Sequence, residues 1–142
     1  MKFCIIYKYT TTRNKFQLEK DLEHLSSMLS DMGHETFIFE RDIKNWQNID
    51  IPREESSKMV FSAMAECDGV IAYANHSELS EGMAMEAGYA KALNKKIILA
   101  VKNGSSSSRV RSICDIYFEF DDIDELEEEL EDYLNKAFAV SQ

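Results

Sequence analysis

The chain has 142 residues, 44% of them hydrophobic and 30% charged, and a formal net charge of −10. That is the length of one domain, spanning 1–142, with an ordinary globular balance and a charge that argues against gripping nucleic-acid phosphates. The longest apolar runs, Phe3 to Tyr7 and Ile97 to Val101, fall far short of the ~20 residues that cross a bilayer, so no membrane partner is expected. No secretory signal is visible, and three cysteines (Cys4, Cys67, Cys114) without metal-ligand spacing suit a reducing cytoplasm.

In chain order, Lys2 to Lys8 (KFCIIYK) reads as a short buried strand. Asn14 to Met32 carries Leu18, Leu22, Leu25, Leu29 and Met32 on one helical stripe, which Gly33 ends. Glu35 to Glu40 (ETFIFE) is a second strand. A polar loop with Trp46 follows, and Pro52 opens a helix running to about Glu66. Asp68 to Tyr73 is a third strand, Ser80 to Leu93 a helix, and Lys96 to Val101 a fourth strand. Asn103 to Ser108 is a flexible loop, Ile116 to Phe120 a fifth strand, and Ile123 to Phe138 a closing helix with Leu126, Leu130, Tyr133, Leu134 and Ala137 at helical spacing. The charge is localised: residues 1–114 hold 15 acids and 15 bases, whereas Asp115 to Asp132 holds 11 acids and no base, the mark of a solvated helix face.

Strands alternating with helices imply right-handed βαβ units. The expected fold is α/β: a three-layer, doubly wound, mainly parallel five-stranded sheet of flavodoxin-like or Rossmann-like type, in order 2-1-3-4-5. Ligands of such sheets bind beyond the carboxyl ends of the strands, which directs attention to loops 8–14, 74–82 and 102–112.

The segment Ser80-Glu81-Gly82-Met83-Ala84-Met85-Glu86-Ala87-Gly88-Tyr89-Ala90 is the most informative. Between Gly82 and Ala90 only Glu86 is neither small nor apolar, so the helix reads as buried all round and Glu86 as a carboxylate with restricted solvent. Such a group either pairs with a nearby donor or does chemistry. Ser80 stands at the N-cap, where it serves as a cap alone or joins the first free N–H groups in cradling an anion, with Gly82 allowing close approach.

Cys67-Asp68-Gly69-Val70-Ile71-Ala72, then Glu81 through Ala90, then Asn94-Lys95-Lys96-Ile97-Ile98 resemble the nucleoside deoxyribosyltransferase superfamily, which includes the deoxynucleoside 5′-monophosphate N-glycosidases. The resemblance is good over residues 67–101 and weaker before them. It implies that Glu86 is the nucleophile that attacks the anomeric carbon of the sugar. It also implies that Ser80, where nucleoside transferases carry an Asp, receives a 5′-phosphate. Ser112 matches a serine contributed by a neighbouring subunit, with Arg109 beside it in a phosphate-contacting stretch; ordinary surface charge is the alternative for Arg109 and Arg111. The implied reaction is hydrolysis of the N-glycosidic bond of a nucleoside 5′-monophosphate by a homodimer or larger assembly with shared sites. Base exchange and a silent nucleotide-binding module are the alternatives. Neither metal nor organic cofactor is implied.

Two departures from the family pattern stand out. The first loop, Tyr7-Lys8-Tyr9-Thr10-Thr11-Thr12-Arg13, lacks the usual glycines, although its hydroxyls and Arg13 suit an anion. The acid expected about eight residues before Asp68 is replaced by Val60. Tyr7 and Tyr9 are candidates to stack a base or to pack in the core, and Asp68 is a candidate for a substrate contact or a turn contact. His24, His34 and His76 are scattered, and no metal site is assigned to them.

Overall fold

The computed structural model describes residues 1–9, 15–76 and 80–138. The elements are β1 (Lys2–Tyr7), α1 (Lys15–Asp31), β2 (Glu35–Phe37), α2 (Phe39–Asp42), α3 (Arg53–Ala65), β3 (Gly69–Ala74), α4 (Glu81–Ala92), β4 (Lys96–Lys102), α5 (Ser108–Arg111), β5 (Ile116–Phe120) and α6 (Ile123–Phe138). The five strands form one parallel sheet in the order β2-β1-β3-β4-β5, the doubly wound arrangement expected from the strand–helix alternation.

Strand periodicity divides the core between the two faces of the sheet. Phe3 and Ile5 of β1, with Ile71 and Tyr73 of β3, pack against Leu18, Leu22, Leu25 and Leu29 of α1 and Leu126, Leu130 and Leu134 of α6. Their alternates Cys4, Ile6, Val70 and Ala72 face Val60 and Met64 of α3 and Met83, Ala87 and Ala90 of α4. Every residue of β3 is buried, as a central parallel strand covered on both faces must be.

Local chemistry sets the ends of the elements. Gly33, at φ +88°, closes α1 with two bonds, His34 N–H to Leu29 O and Gly33 N–H to Ser30 O, both 2.9 Å. That double closure needs a left-handed residue, which glycine supplies without strain. Gly69 has a different reason: a Cβ there would lie 3.1 Å from the Lys96 carbonyl oxygen and from the Phe3 ring. Asp68 and Asp115 each precede a strand and cap its neighbour, accepting the N–H of Lys2 at 2.8 Å and of Ile97 at 2.7 Å.

Two expectations are corrected. The second strand stops at Phe37 instead of reaching Glu40, because Asp42 Oδ2 accepts the Ile38 N–H at 2.8 Å and the chain turns into α2. The helix after β3 is not buried all round: Met83, Ala87 and Ala90 face the sheet, while Gly82, Gly88 and Met85 (51% accessible) face out. Its outer residues are small or flexible, so an exposed face costs little despite its apolar composition.

Candidate active site

The order of the sheet reverses at β1 and β3. β1 leads to α1 on one face and β3 to α4 on the other, and chains that diverge in this way leave a crevice at the carboxyl ends of their strands. A cavity of about 620 Å³ opens there, within the usual range for small-molecule sites. Cys4, Ile6 and Tyr7 of β1 line it, with Tyr9 just beyond. α3 contributes Arg53, Ser56, Ser57, Val60 and Phe61, the β2–α2 turn contributes Phe37, Phe39 and Glu40, and the start of α4 contributes Ser80, Gly82, Met85 and Glu86.

Glu86 lies in the second turn of α4 and is half-buried. Burial pushes its carboxyl up to about 7 from an ordinary 4.5. The helix N-terminus favours the ionised form, but its influence fades within the first turn, and desolvation prevails. Gly82 stands one turn before it. A Cβ at Gly82 would lie 3.9 Å from Glu86 Oε1, so the missing side chain leaves this approach to the carboxylate open. Ser80 caps α4 by accepting the Met83 N–H on Oγ at 3.2 Å. The remaining N–H groups of the first turn project from the helix end, an arrangement that favours anions.

Aromatic side chains also line the cavity. The Tyr7 and Tyr9 rings meet edge to face at 6.3 Å, and Phe61 stacks on Tyr89 at 4.5 Å. Tyr7 oxygen accepts the Glu40 N–H at 2.9 Å, while burial, with Glu40 and Glu86 both nearby, drives its hydroxyl well above the usual tyrosine range. Tyr9 donates to Glu19 at 3.1 Å, and burial together with that bond raises it to about 12. Both phenols therefore stay protonated at neutral pH.

Among the predicted site residues, Glu86, Ser80, Gly82, Tyr7 and Tyr9 come together at this cavity. Arg13 lies outside the described residues. Asp68 does not join them: it sits at the amino end of β3, the far edge of the sheet, where it accepts the Lys2 N–H, so it is a strand cap and not a substrate contact. Arg109 and Ser112 are also absent from the cavity walls. They are exposed on and beside α5, where Ser112 Oγ donates to the Arg109 carbonyl at 2.6 Å, and Arg111 lies 3.6 Å over the Tyr117 ring. The 102–112 loop therefore does not border the cavity of its own chain. Sequence reasoning missed the β2–α2 turn and α3: Phe39, Glu40, Arg53, Ser56, Ser57 and Phe61. The only signal for Glu40 was a carboxylate directly after the apolar run Phe37-Ile38-Phe39.

Among the described residues, one cluster has metal-type ligands: His24, Asp124 and Glu127, whose ligand atoms lie within 4.8 Å of one another between α1 and α6. His24 Nε2 is 2.5 Å from Glu127 Oε1, an ion-pair geometry away from the cavity. No helix among the described residues is long and apolar enough to cross a membrane.

Residues 13–112 match the family described as nucleoside 2-deoxyribosyltransferase. Among solved structures, the CMP N-glycosidase BcmB of Clostridium botulinum is similar with a TM-score of 0.67 and 22% identity, over 94% of this chain and 99% of that one. A 2-deoxyribosyltransferase from Bacillus psychrosaccharolyticus is similar with a TM-score of 0.61 and 18% identity, over 89% and 90%. BlsM reaches a TM-score of 0.73 at 16% identity, over 96% and 91%. At these identities the likeness is one of fold. No curated protein matches the sequence.

Proposed function

Because the chain belongs to the nucleoside 2-deoxyribosyltransferase family, whose activities are of the deoxyribosyltransferase and N-glycosidase type, we propose that it hydrolyses the N-glycosidic bond of a nucleoside 5′-monophosphate. The observation that carries this is the arrangement of the cavity. A solvent-restricted carboxylate, Glu86, stands one turn from Gly82 with a capped helix start at Ser80 before it, and aromatic rings line the same cavity. A nucleotide laid along it has its phosphate at Ser80, its sugar over Glu86 and its base among the rings.

In this reaction ionised Glu86 attacks the anomeric carbon. The carbon–nitrogen bond breaks with its electron pair leaving on the base, and a glycosyl ester forms. Water then attacks the same carbon and Glu86 departs as a carboxylate; the proton that water gives up balances the one taken up by the departed base, and configuration is retained. The catalytic machinery needs no cofactor. Incubation with a panel of nucleotides and nucleosides, followed by chromatography of free base, tests the reading. Release from at least one monophosphate in preference to its nucleoside is expected; no release from any monophosphate refutes it and leaves a nucleotide-binding module. Base exchange without hydrolysis would instead select the transferase activity.

We also propose a homodimer or larger assembly, in which Arg109 and Ser112 of one subunit complete a neighbour's phosphate site. Their exposure outside their own cavity agrees with this, as do the accessible Met59, Met85 and Leu93 on α3 and α4. Sedimentation at micromolar concentration tests the assembly, and a clean 16.4 kDa species refutes it. Mixing Glu86→Gln with Ser112→Trp subunits under conditions that exchange them should restore activity if sites are shared. The free thiols Cys4, Cys67 and Cys114 fit a reducing compartment, and we assign the cytoplasm on that ground.

A further inference from the structure

Besides Glu86 and the exposed Glu81 at the start of α4, the cavity contains a buried carboxylate that the reaction above does not use. Glu40 is only 7% accessible and lies on the cavity wall. The turn that ends β2 puts it there: Asp42 holds the Ile38 N–H, and the Glu40 N–H is bound to the Tyr7 oxygen. These bonds fix the backbone on both sides of the side chain. Lys44 Nζ, one helical turn on, stands 3.7 Å from Glu40 Oε1. Burial raises the carboxyl above its usual range, while Lys44 and the more distant Lys15 pull it back and Glu19 adds to the rise. A buried carboxylate whose nearest cation stands at that distance is costly to keep, and here it sits beside the rings of Tyr7, Tyr9 and Phe39.

Position gives it a task. In the proposed reading Ser80 and the open end of α4 take the phosphate, and Glu86, one turn further on, faces the sugar. A base bound beyond the sugar would therefore reach the aromatic side chains, beside which the buried Glu40 carboxylate lies. An ionised carboxylate only accepts hydrogen bonds. The C4 substituent of cytosine and the C6 substituent of adenine are amino donors. Uracil, thymine and hypoxanthine carry a carbonyl oxygen at the same place, whose lone pairs would face those of the carboxylate.

We propose that Glu40 reads the base edge and restricts the site to nucleotides whose base carries an exocyclic amino group. This rests on the N-glycosidase reading and names its substrate class. Buried polar sites discriminate strongly against isosteres that leave them unpaired, so a preference of roughly 10- to 100-fold follows from a contact of this type.

The test is kcat/KM for base release on two isosteric pairs, cytidine against uridine monophosphate and adenosine against inosine monophosphate. The wild type should favour the amino member of at least one pair by tenfold or more. Glu40→Gln presents an amide that donates as well as accepts, and should bring that ratio to within about threefold of unity while base release continues. Glu40→Asp keeps the charge and should keep the direction of preference. Release without amino preference in the wild type, or a ratio unmoved by Glu40→Gln, overturns the assignment of Glu40 and leaves the N-glycosidase reading standing. No release by the wild type from any of the four overturns both. The wild-type ratio decides the proposal even if a variant fails to fold.

Discussion

Glu86 sets a trade between stability and chemistry that can be measured without any substrate. Its carboxyl is raised to about 7 in the folded chain from an ordinary 4.5, so the native state holds this proton more tightly than the unfolded state. For a raised acid the sign is unfavourable to folding above the unfolded value. The penalty is small near pH 4.5, grows as pH rises, and levels off above about 7. One unit corresponds to about 1.4 kcal/mol, so ionised Glu86 costs about 1 kcal/mol at pH 5 and about 3 kcal/mol at pH 8. Water entering through the cavity mouth makes these upper values. Glu86→Gln removes the charge and keeps the shape. At about 3 °C per kcal/mol for a chain of this size, the variant should melt roughly 3 °C above the wild type at pH 5 and roughly 10 °C above it at pH 8. Thermal unfolding followed by circular dichroism across that range reads the gap between the two proteins, in which titration of all other groups cancels. A gap that stays constant or narrows as pH rises refutes the argument that desolvation dominates at Glu86.

The same protonation governs the proposed reaction: kcat/KM for base release should climb with pH through about 7 as Glu86 becomes ionised, and a flat profile from pH 5 to 8 would contradict it. Ser80→Ala removes an N-cap worth about 1 kcal/mol. In denaturant titration it should lower stability by about that amount, and it should raise KM for a monophosphate roughly tenfold while leaving the nucleoside nearly unaffected. Asp68→Asn weakens the cap on Lys2 and should cost about 1 kcal/mol of stability with base release within about twofold of wild type; a large loss of activity would return Asp68 to the site.

The parts of this molecule legible in the sequence are those where one physical effect acts alone. Leu18, Leu22, Leu25 and Leu29 recur at helical spacing because a single face of α1 is buried, and β3 and β4 are short continuous apolar runs because both faces are covered. Glu86 and Ser80 were legible as an isolated charge in an apolar segment and a cap before it. The errors arose where a distant or unusual partner decides. ETFIFE, with its aromatic and β-branched residues, reads as a strand to its end, but the Asp42 side chain ends β2 at Phe37, and the turn carries Glu40 into the cavity. α3 presents Arg53, Ser56 and Ser57 to the cavity, residues that in sequence look like a solvated face, because a polar ligand site and a polar surface have the same composition. Asp68 precedes a strand at the end of the sheet away from the cavity, a distinction that depends on strand direction and not on residue type.

The order of the strands also dictates when this chain can fold. β1 lies inside the sheet, bonded to β2 on one side and β3 on the other, and its Lys2 and Asp68 are joined across 66 residues. β3 in turn needs β4 to cover its other edge. A nascent chain that has delivered only β1, α1 and β2 owns an edge strand and no centre. The open edge of β1 persists until β3 arrives, and that of β3 until Lys102 is made. Long-range parallel pairing of this kind closes late and slowly, and an uncovered apolar edge is the surface on which unfinished chains associate. Synthesis halted between α4 and β4 therefore exposes the six-residue apolar strand β3 along its length, and aggregation of such fragments is the cost of placing the first strand at the heart of the sheet.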